Sequence, residues 1–248
     1  MSLLLRGELS LSIYSGNAFV ILSGGRTGGF PPPYIHLLKA VIAPMTQTLL
    51  IVGNGALSRD LSAIAEDAQY VIRFNDARLD DGRSGTRCDL LILANANKPM
   101  QRRLTDPDFF GSPAFSNARE IMLVYHPEII RRYHWRSSLL SRLKGRRADW
   151  TMQTIQVIGK AGKEIRIMPP QFYLDSCQEL GLDEKAMHSV VPSTGFLGIR
   201  YAIDRFPAQE WRIRLCGFTW EGWKRHAWDG ERAWVQAQAE AGRVEIIC

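Results

Sequence analysis

The chain has 248 residues, 46% of them hydrophobic and 23% charged, with a net charge of +6. That make-up is of an ordinary globular protein, long enough to bury a full core as one α/β domain, two being the alternative. The small, dispersed positive charge suits anionic ligands such as nucleotides and excludes a nucleic-acid-binding surface; no stretch approaches the roughly 18–20 apolar residues that span a bilayer.

From the N-terminus, residues 1–44 hold the glycine pairs Gly24-Gly25 and Gly28-Gly29 and the run Pro31-Pro32-Pro33, with no sustained period of 3.6 or 2. The short apolar run at 19–22 lacks a basic segment close before it and a small-residue cleavage site directly after it, so it does not read as a signal peptide. Met45 stands four residues ahead of the first strong strand. The expectation is a single folded domain over 45–248, with 1–44 a disordered extension or a mis-assigned start. N-terminal mass spectrometry of the native protein decides between these two.

Residues 49–52 (LLIV) are a continuous apolar run closed by Gly53-Asn54-Gly55, the pattern of a central parallel strand. A helix is predicted over 58–65, a strand over 70–74 (YVIRF), a turn at Asp80-Asp81-Gly82, and strands over 89–94 (DLLILA) and 120–124 (EIMLV). A long basic helix follows over 128–150, with Arg131, Arg132, Arg136, Arg142, Lys144, Arg146 and Arg147. It is either a solvated face or a mobile lid whose arginines meet an anionic ligand. Helices over 171–180, 193–203 and 233–240 and a late strand over 211–215 (WRIRL) complete the pattern. Strands alternating with helices imply a doubly wound, mostly parallel, Rossmann-like sheet.

The cysteines Cys88, Cys177, Cys216 and Cys248 share no metal-type spacing. Cys88 and Cys216 sit in strand-like contexts and read as buried free thiols, which makes a reducing cytoplasm the expected setting. The five histidines are scattered and unpaired with cysteines, so no nickel site is indicated and no metal is expected. Asp106-Pro107-Asp108 has the D-x-D form of a metal-holding pair, but its neighbours favour a turn or helix cap.

The Gly53-Asn54-Gly55 turn, with Asp76 about 20 residues on, invites a dinucleotide reading. Ser58 replaces the third glycine and the charged pair Arg59-Asp60 follows, so the fingerprint is incomplete. Four segments in order carry another reading: Val52-Gly53-Asn54; Arg73-Phe74-Asn75; Pro192-Ser193-Thr194-Gly195, placed after Val190-Val191 and before Cys216-Gly217-Phe218; and His226 followed by Glu231. Taken singly each has a plain structural explanation. Asparagines tolerate turn geometry, the tetrapeptide is a common helix cap, and His226 lies beside Trp223 and Trp228 with Glu231 as an ordinary first-turn acid.

In this order the segments resemble the large, small and very small motifs of the sialyltransferases (glycosyltransferase family 29), to which bacterial enzymes of family 42 are related. The resemblance covers roughly residues 49–235. It implies a sialyltransferase-type fold and a metal-independent, inverting transfer from CMP-sialic acid or a related CMP-sugar to an unknown glycan or small-molecule acceptor, with no cofactor. It implies that Gly53, Asn54, Gly55, Arg73 and Asn75 surround the nucleotide, since an amide both donates and accepts. Asn95 or Asn97 fills the place of a further asparagine after the third strand, and Asn95 is the choice here. Ser193, Thr194 and Gly195 are implied to hold the phosphate at a helix start. His226 is implied as the general base and Glu231 as its anchor. This chain departs from the family in having no histidine between Cys216 and Arg225. The phosphate-facing acid is therefore unassigned, with His126, Tyr125 and Tyr133 as candidates, and the disulfide of the animal enzymes does not map onto identified cysteines of this sequence. The chain is also similar to small bacterial proteins known as urease operon accessory proteins. A non-catalytic nucleotide-sugar-binding accessory protein is accordingly the alternative, and an NAD-dependent oxidoreductase the third reading.

Overall fold

The computed structural model describes residues 9–14, 17–22, 46–79, 82–134, 140 and 147–247. The chain divides into two compact units, Met1–Met45 and Thr46–Cys248. In the first, β1 (Leu9–Tyr14) pairs antiparallel with β2 (Asn17–Leu22), Leu9 opposite Leu22 and Tyr14 opposite Asn17. Its sequence LSLSI alternates apolar and hydroxyl residues, a period-2 pattern passed over in the sequence reading.

The second unit runs β3 (Gln47–Val52), α1 (Ser62–Asp67), β4 (Tyr70–Phe74), β5 (Leu90–Leu93), α2 (Asn97–Arg103), α3 (Pro107–Gly111), α4 (Pro113–Asn117), β6 (Glu120–Leu123), α5 (Pro127–Tyr133), α6 (Thr151–Gly159), β7 (Glu164–Ile167), α7 (Pro170–Glu179), α8 (Glu184–Met187), α9 (Thr194–Arg205), β8 (Trp211–Cys216), α10 (Trp228–Glu240) and β9 (Glu245–Ile246). The strands form one seven-stranded sheet in the order β7-β6-β5-β4-β3-β8-β9, every neighbouring pair parallel. The chain winds outward from β3 to β7 and then returns to lay β8 on the other side of β3. The reversal makes the carboxyl ends of β3 and β8 the switch point of the sheet, where α/β folds place ligands.

The core explains why these strands are apolar throughout. Leu49, Ile51, Ile72, Phe74, Ile92, Ile213 and Leu215 pack with α7, α9 and α10 residues in one cluster. Their neighbours in sequence, Leu50, Val52, Leu91, Leu93, Ile121 and Leu123, belong to two others. Side chains buried on both faces contribute about 1.5–3 kcal/mol each, so a polar residue at either register position is costly.

Five predicted strands lie within a residue or two of those observed. The helix expected over 58–65 starts only at Ser62, because buried Leu57 and Leu61 hold the chain in a turn that Asp60 closes by accepting from the Ser62 amide. The long helix expected over 128–150 is not continuous. α5 stops at Tyr133, where His134 turns extended (φ −83, ψ 151) and lays its ring against Tyr125, and residues 147–150, directly ahead of the helix that starts at Thr151, are not helical. Arg136, Arg142, Lys144 and Arg146 lie outside the described residues, as does most of the segment read as a solvated face or a mobile lid. Among the described residues no helix is long and apolar enough to cross a membrane.

Candidate functional site

The strands at the centre of the sheet each run out into an asparagine, and each of these reaches sideways to the chain of the next strand. Asn54, after β3, donates to the Phe74 carbonyl at 3.0 Å and accepts from the Arg78 amide at 3.4 Å. Asn75, after β4, accepts from the Ala94 amide at 3.0 Å. Asn95, after β5, donates to the Tyr125 carbonyl and the Thr151 hydroxyl, both at 2.8 Å, and accepts from the Tyr125 amide at 2.9 Å. Asn75 adopts φ 51, a left-handed conformation that asparagine tolerates better than other side chains. Asn54 and Asn75 are half-buried, and among the described residues nothing accepts from the side-chain amide of Asn75. Asn95 is fully buried with donors and acceptor engaged, so it holds the wall of the site and presents nothing to a ligand.

A second assembly stands beside this edge. Ser193 caps α9: its hydroxyl accepts from the Phe196 amide at 3.0 Å and donates to Glu231 Oε2 at 2.6 Å. The Ser193 amide donates to Glu231 Oε1 at 2.7 Å. Glu231 projects from the first turn of α10 and is 0% exposed. Burial pushes its carboxyl upward, opposed by the two hydrogen bonds from Ser193 and by the backbone around Ala227. Two residues before Ser193, Val191 forms a parallel bridge with His226, its amide donating to the Arg225 carbonyl at 2.8 Å. The Val191 carbonyl lies 2.9 Å from His226 Nδ1. A carbonyl only accepts, so this nitrogen carries the proton and Nε2 is left with a free lone pair. The imidazole sits between Trp223 and Trp228, at centroid distances of 5.1 and 4.9 Å. Burial, and then the charge of Arg225, lower its pKa, while the Val191 contact works the other way.

Aromatic rings join the two assemblies. Phe74 and Phe218, from the ends of β4 and β8, meet edge to face at 6.0 Å. The glycine face of α9 rests on them: a Cβ on Gly198 would come within 2.3 Å of Phe74, and one on Gly195 within 3.0 Å of Phe218. Among the described residues no acceptor faces the Thr194 or Gly195 amides. These two donors, with the positive end of the 12-residue α9, are the anion-attracting groups of the site.

Other predicted residues do different work. The amides of Gly53 and Gly55 donate to the carbonyls of Cys216 and Gly217, both at 2.8 Å, and a Cβ on Gly53 would lie 2.2 Å from the Gly217 oxygen. The glycines therefore allow β3 and β8 to touch, and their amides are not open to a phosphate. Arg73 is 0% exposed and donates to the Arg87, Ser84 and Gly85 carbonyls and the Ser84 hydroxyl, pinning the 84–87 loop and turning away from the sheet edge. Asp76 is ion-paired with Arg102 and Arg103, which leaves it poorly placed to bind a ribose. Asp106 caps α3, as the turn reading predicts, and His126 caps α5 through Nδ1. Tyr125 is buried; burial and the Glu231 carboxylate push its phenol up, against a hydrogen bond from the Thr194 hydroxyl. Tyr133 is buried against Tyr173 and His188. Cys88, Cys177 and Cys216 are buried, and burial pushes the first two thiols up to about 12.

Sequence reasoning missed Thr151 and His134. His134 lies 4.4 Å from the Tyr125 ring, its buried Nε2 meets no partner among the described residues, and burial followed by Arg225 lowers its pKa to about 4. Nothing in its helical-looking neighbourhood marked it. Among the described residues no three histidine, cysteine or carboxylate side chains converge as metal ligands.

No protein-family model matches the chain. It is similar to the urease operon 23 kDa accessory protein of Rhizobium meliloti (strain 1021), at 26% identity over 208 residues that cover 81% of this chain and 93% of that protein. Among solved structures it is similar to a mammalian sialyltransferase, alone and in complex with Gal-beta-1-3GalNAc-ortho-nitrophenol. In each case the identity is 14%, the match covers 82% of this chain and 69% of the other, and the TM-score is 0.46.

Proposed function

We propose that the protein is a metal-independent, inverting glycosyltransferase whose donor is CMP-sialic acid or a related CMP-sugar. The observation that carries this reading is the clasp between the two sequence-distant motifs. The Val191 carbonyl fixes His226 with Nε2 bare, while Glu231 holds Ser193 at the start of α9. A base and an anion-attracting helix start are thereby fixed to one piece of backbone. Asn54 and Asn75 border the nucleotide, and Thr194 and Gly195 offer their amides to its phosphate. In the transfer, a lone pair of the acceptor oxygen forms the bond to the anomeric carbon and the hydroxyl proton passes to Nε2. The anomeric carbon–phosphate oxygen bond breaks, and CMP leaves with that electron pair. A base whose pKa lies below that of free imidazole is unprotonated and ready at neutral pH.

Calorimetric titration of the protein with CMP, against UDP, GDP and NAD as controls, tests the donor. The expected result is selective CMP binding, weakened about tenfold by Asn75→Ala, the equivalent of about 1.4 kcal/mol for lost hydrogen bonds. His226→Ala should abolish transfer and leave CMP affinity intact. Equal indifference to all four nucleotides sinks the proposal. The similarity to the accessory protein of Rhizobium meliloti favours one other reading, a nucleotide-sugar-binding protein without turnover. CMP binding with neither donor hydrolysis nor transfer selects that one.

A further inference from the structure

At the amino ends of the strands, away from the candidate site, the apolar layer packed with α9 is interrupted. Side chains two apart along a strand share a face, so the positions that continue Ile72, Met122 and Ile213 on that face are Tyr70, Glu120 and Trp211. Arg166 of β7 stands opposite Met122 in the register. These four side chains, with Phe206, Arg205 and Glu210 among others, line a cavity of about 440 Å³, within the range of about 300–1,000 Å³ usual for small-molecule sites. One wall is aromatic. The Phe206 ring lies 5.3 Å from that of Tyr70 and 4.8 Å from that of Trp211, and all three residues are half-buried.

The charged part of the lining divides into a paired and an unpaired half. Glu120 accepts from the Tyr70 hydroxyl at 3.1 Å on one oxygen and meets Arg166 at 3.3 Å on the other, while Arg166 also meets Glu164 at 2.9 Å. Arg205 and Glu210 make no side-chain hydrogen bond or ion pair among the described residues. Arg205 closes α9, where a cation suits the negative pole of the helix, and this commits none of its five donors. The turn that follows is fixed. The Glu210 and Trp211 amides donate to the Pro207 carbonyl at 3.0 and 2.9 Å, and the Glu210 carbonyl accepts from the Gln47 amide at 2.8 Å. The cavity thus offers one uncommitted cation, one uncommitted anion and an aromatic wall on a rigid frame. A ligand that satisfies all three carries a carboxylate for the guanidinium fork, an ammonium for the carboxylate and a ring for the wall. We infer that this cavity binds a zwitterionic small molecule with an aromatic ring, the chemistry of a free aromatic amino acid, with Arg205 taking the carboxylate and Glu210 the ammonium. The inference is independent of the transferase reading, since Asn54 and Asn75 follow the opposite ends of the strands.

The test titrates the full chain by calorimetry with phenylalanine, tyrosine and tryptophan. Leucine, which lacks the ring, phenylpropionate, which lacks the ammonium, and phenethylamine, which lacks the carboxylate, are the comparisons. At least one aromatic amino acid should bind with a Kd below about 1 mM, and each comparison compound should bind at least about tenfold more weakly. Arg205→Gln and Glu210→Gln remove exposed, unpaired charges and so leave the fold intact. Each should weaken the amino acid about tenfold, and each should erase the preference over the compound that lacks the matching group. The assignment is overturned if none of the three amino acids binds, if a comparison compound binds as tightly, or if both variants bind as the wild type does.

Discussion

Glu231 joins the two sequence motifs, and its replacement separates their effects. Truncation to alanine leaves the Ser193 amide and hydroxyl without their buried acceptor, at about 1–3 kcal/mol for each donor. Glu231→Ala should therefore lower stability by about 3 kcal/mol, and Glu231→Gln, which keeps one acceptor, by about half as much. Urea unfolding reads this as a shift in midpoint at constant slope; an unshifted alanine variant would show that the clasp contributes nothing. His226 is tested by pH. Burial and Arg225 hold its pKa below the free value of about 6.5, so the acid limb of kcat/KM should have its midpoint below that value. A midpoint above about 7 would assign the titrating group elsewhere. Residue types and their order were legible in the sequence; their partners were not. Ser193 and Glu231 stand 38 positions apart, and no local period announces that one carboxylate satisfies both donors of the other residue. For the same reason Asn95 looks like its two neighbours in sequence, although Tyr125 and Thr151 close it off.

At the level of elements, β3 and β8 touch through glycine. A methyl group on Gly53 would meet backbone, the Gly217 carbonyl, which cannot step aside without separating the strands. Gly53→Ala should cost about 3 kcal/mol, at the upper end of overpacking penalties. Gly159→Ala is the matched control, since at the end of α6 nothing lies within 4 Å of the added carbon. It should be neutral or stabilise by a few tenths up to about 1 kcal/mol. Thermal unfolding of the two variants compares them directly; equal melting temperatures would remove the close approach as an explanation for Gly53. The central strands were readable because burial on both faces forces continuous apolar runs such as LLIV and LLIL. β7 (EIRI) was not, because an edge strand with half its residues exposed alternates too briefly to stand out. The failure at 128–150 has a tertiary cause: helix formers continue past Tyr133, but packing of His134 on Tyr125 turns the chain out of the helix.

For the molecule as a whole, buried imidazoles set the response to acid. His134 titrates near 6.5 when unfolded and near 4 when folded, so the unfolded chain binds the extra proton first. Its contribution is fully present above about pH 6.5 and is lost as pH falls toward 4, at most about 3 kcal/mol. Stability measured by denaturant across that window should decline, and His134→Phe should flatten the decline; an unchanged slope would place the effect on other groups. The asparagine ladder bears on a slower process. An Asn-Gly pair is the dipeptide most prone to lose its side-chain amide, because the glycine nitrogen is unhindered in attacking the asparagine carbonyl carbon. In Asn54-Gly55 that nitrogen already donates to Gly217, and the side-chain amide already donates to Phe74. The folded protein is thus shielded from its own ageing chemistry, and each excursion to the unfolded state exposes it. Once converted to aspartate, position 54 could only repel the Phe74 carbonyl it used to hold, so the first rung of the ladder would record how often the molecule had opened.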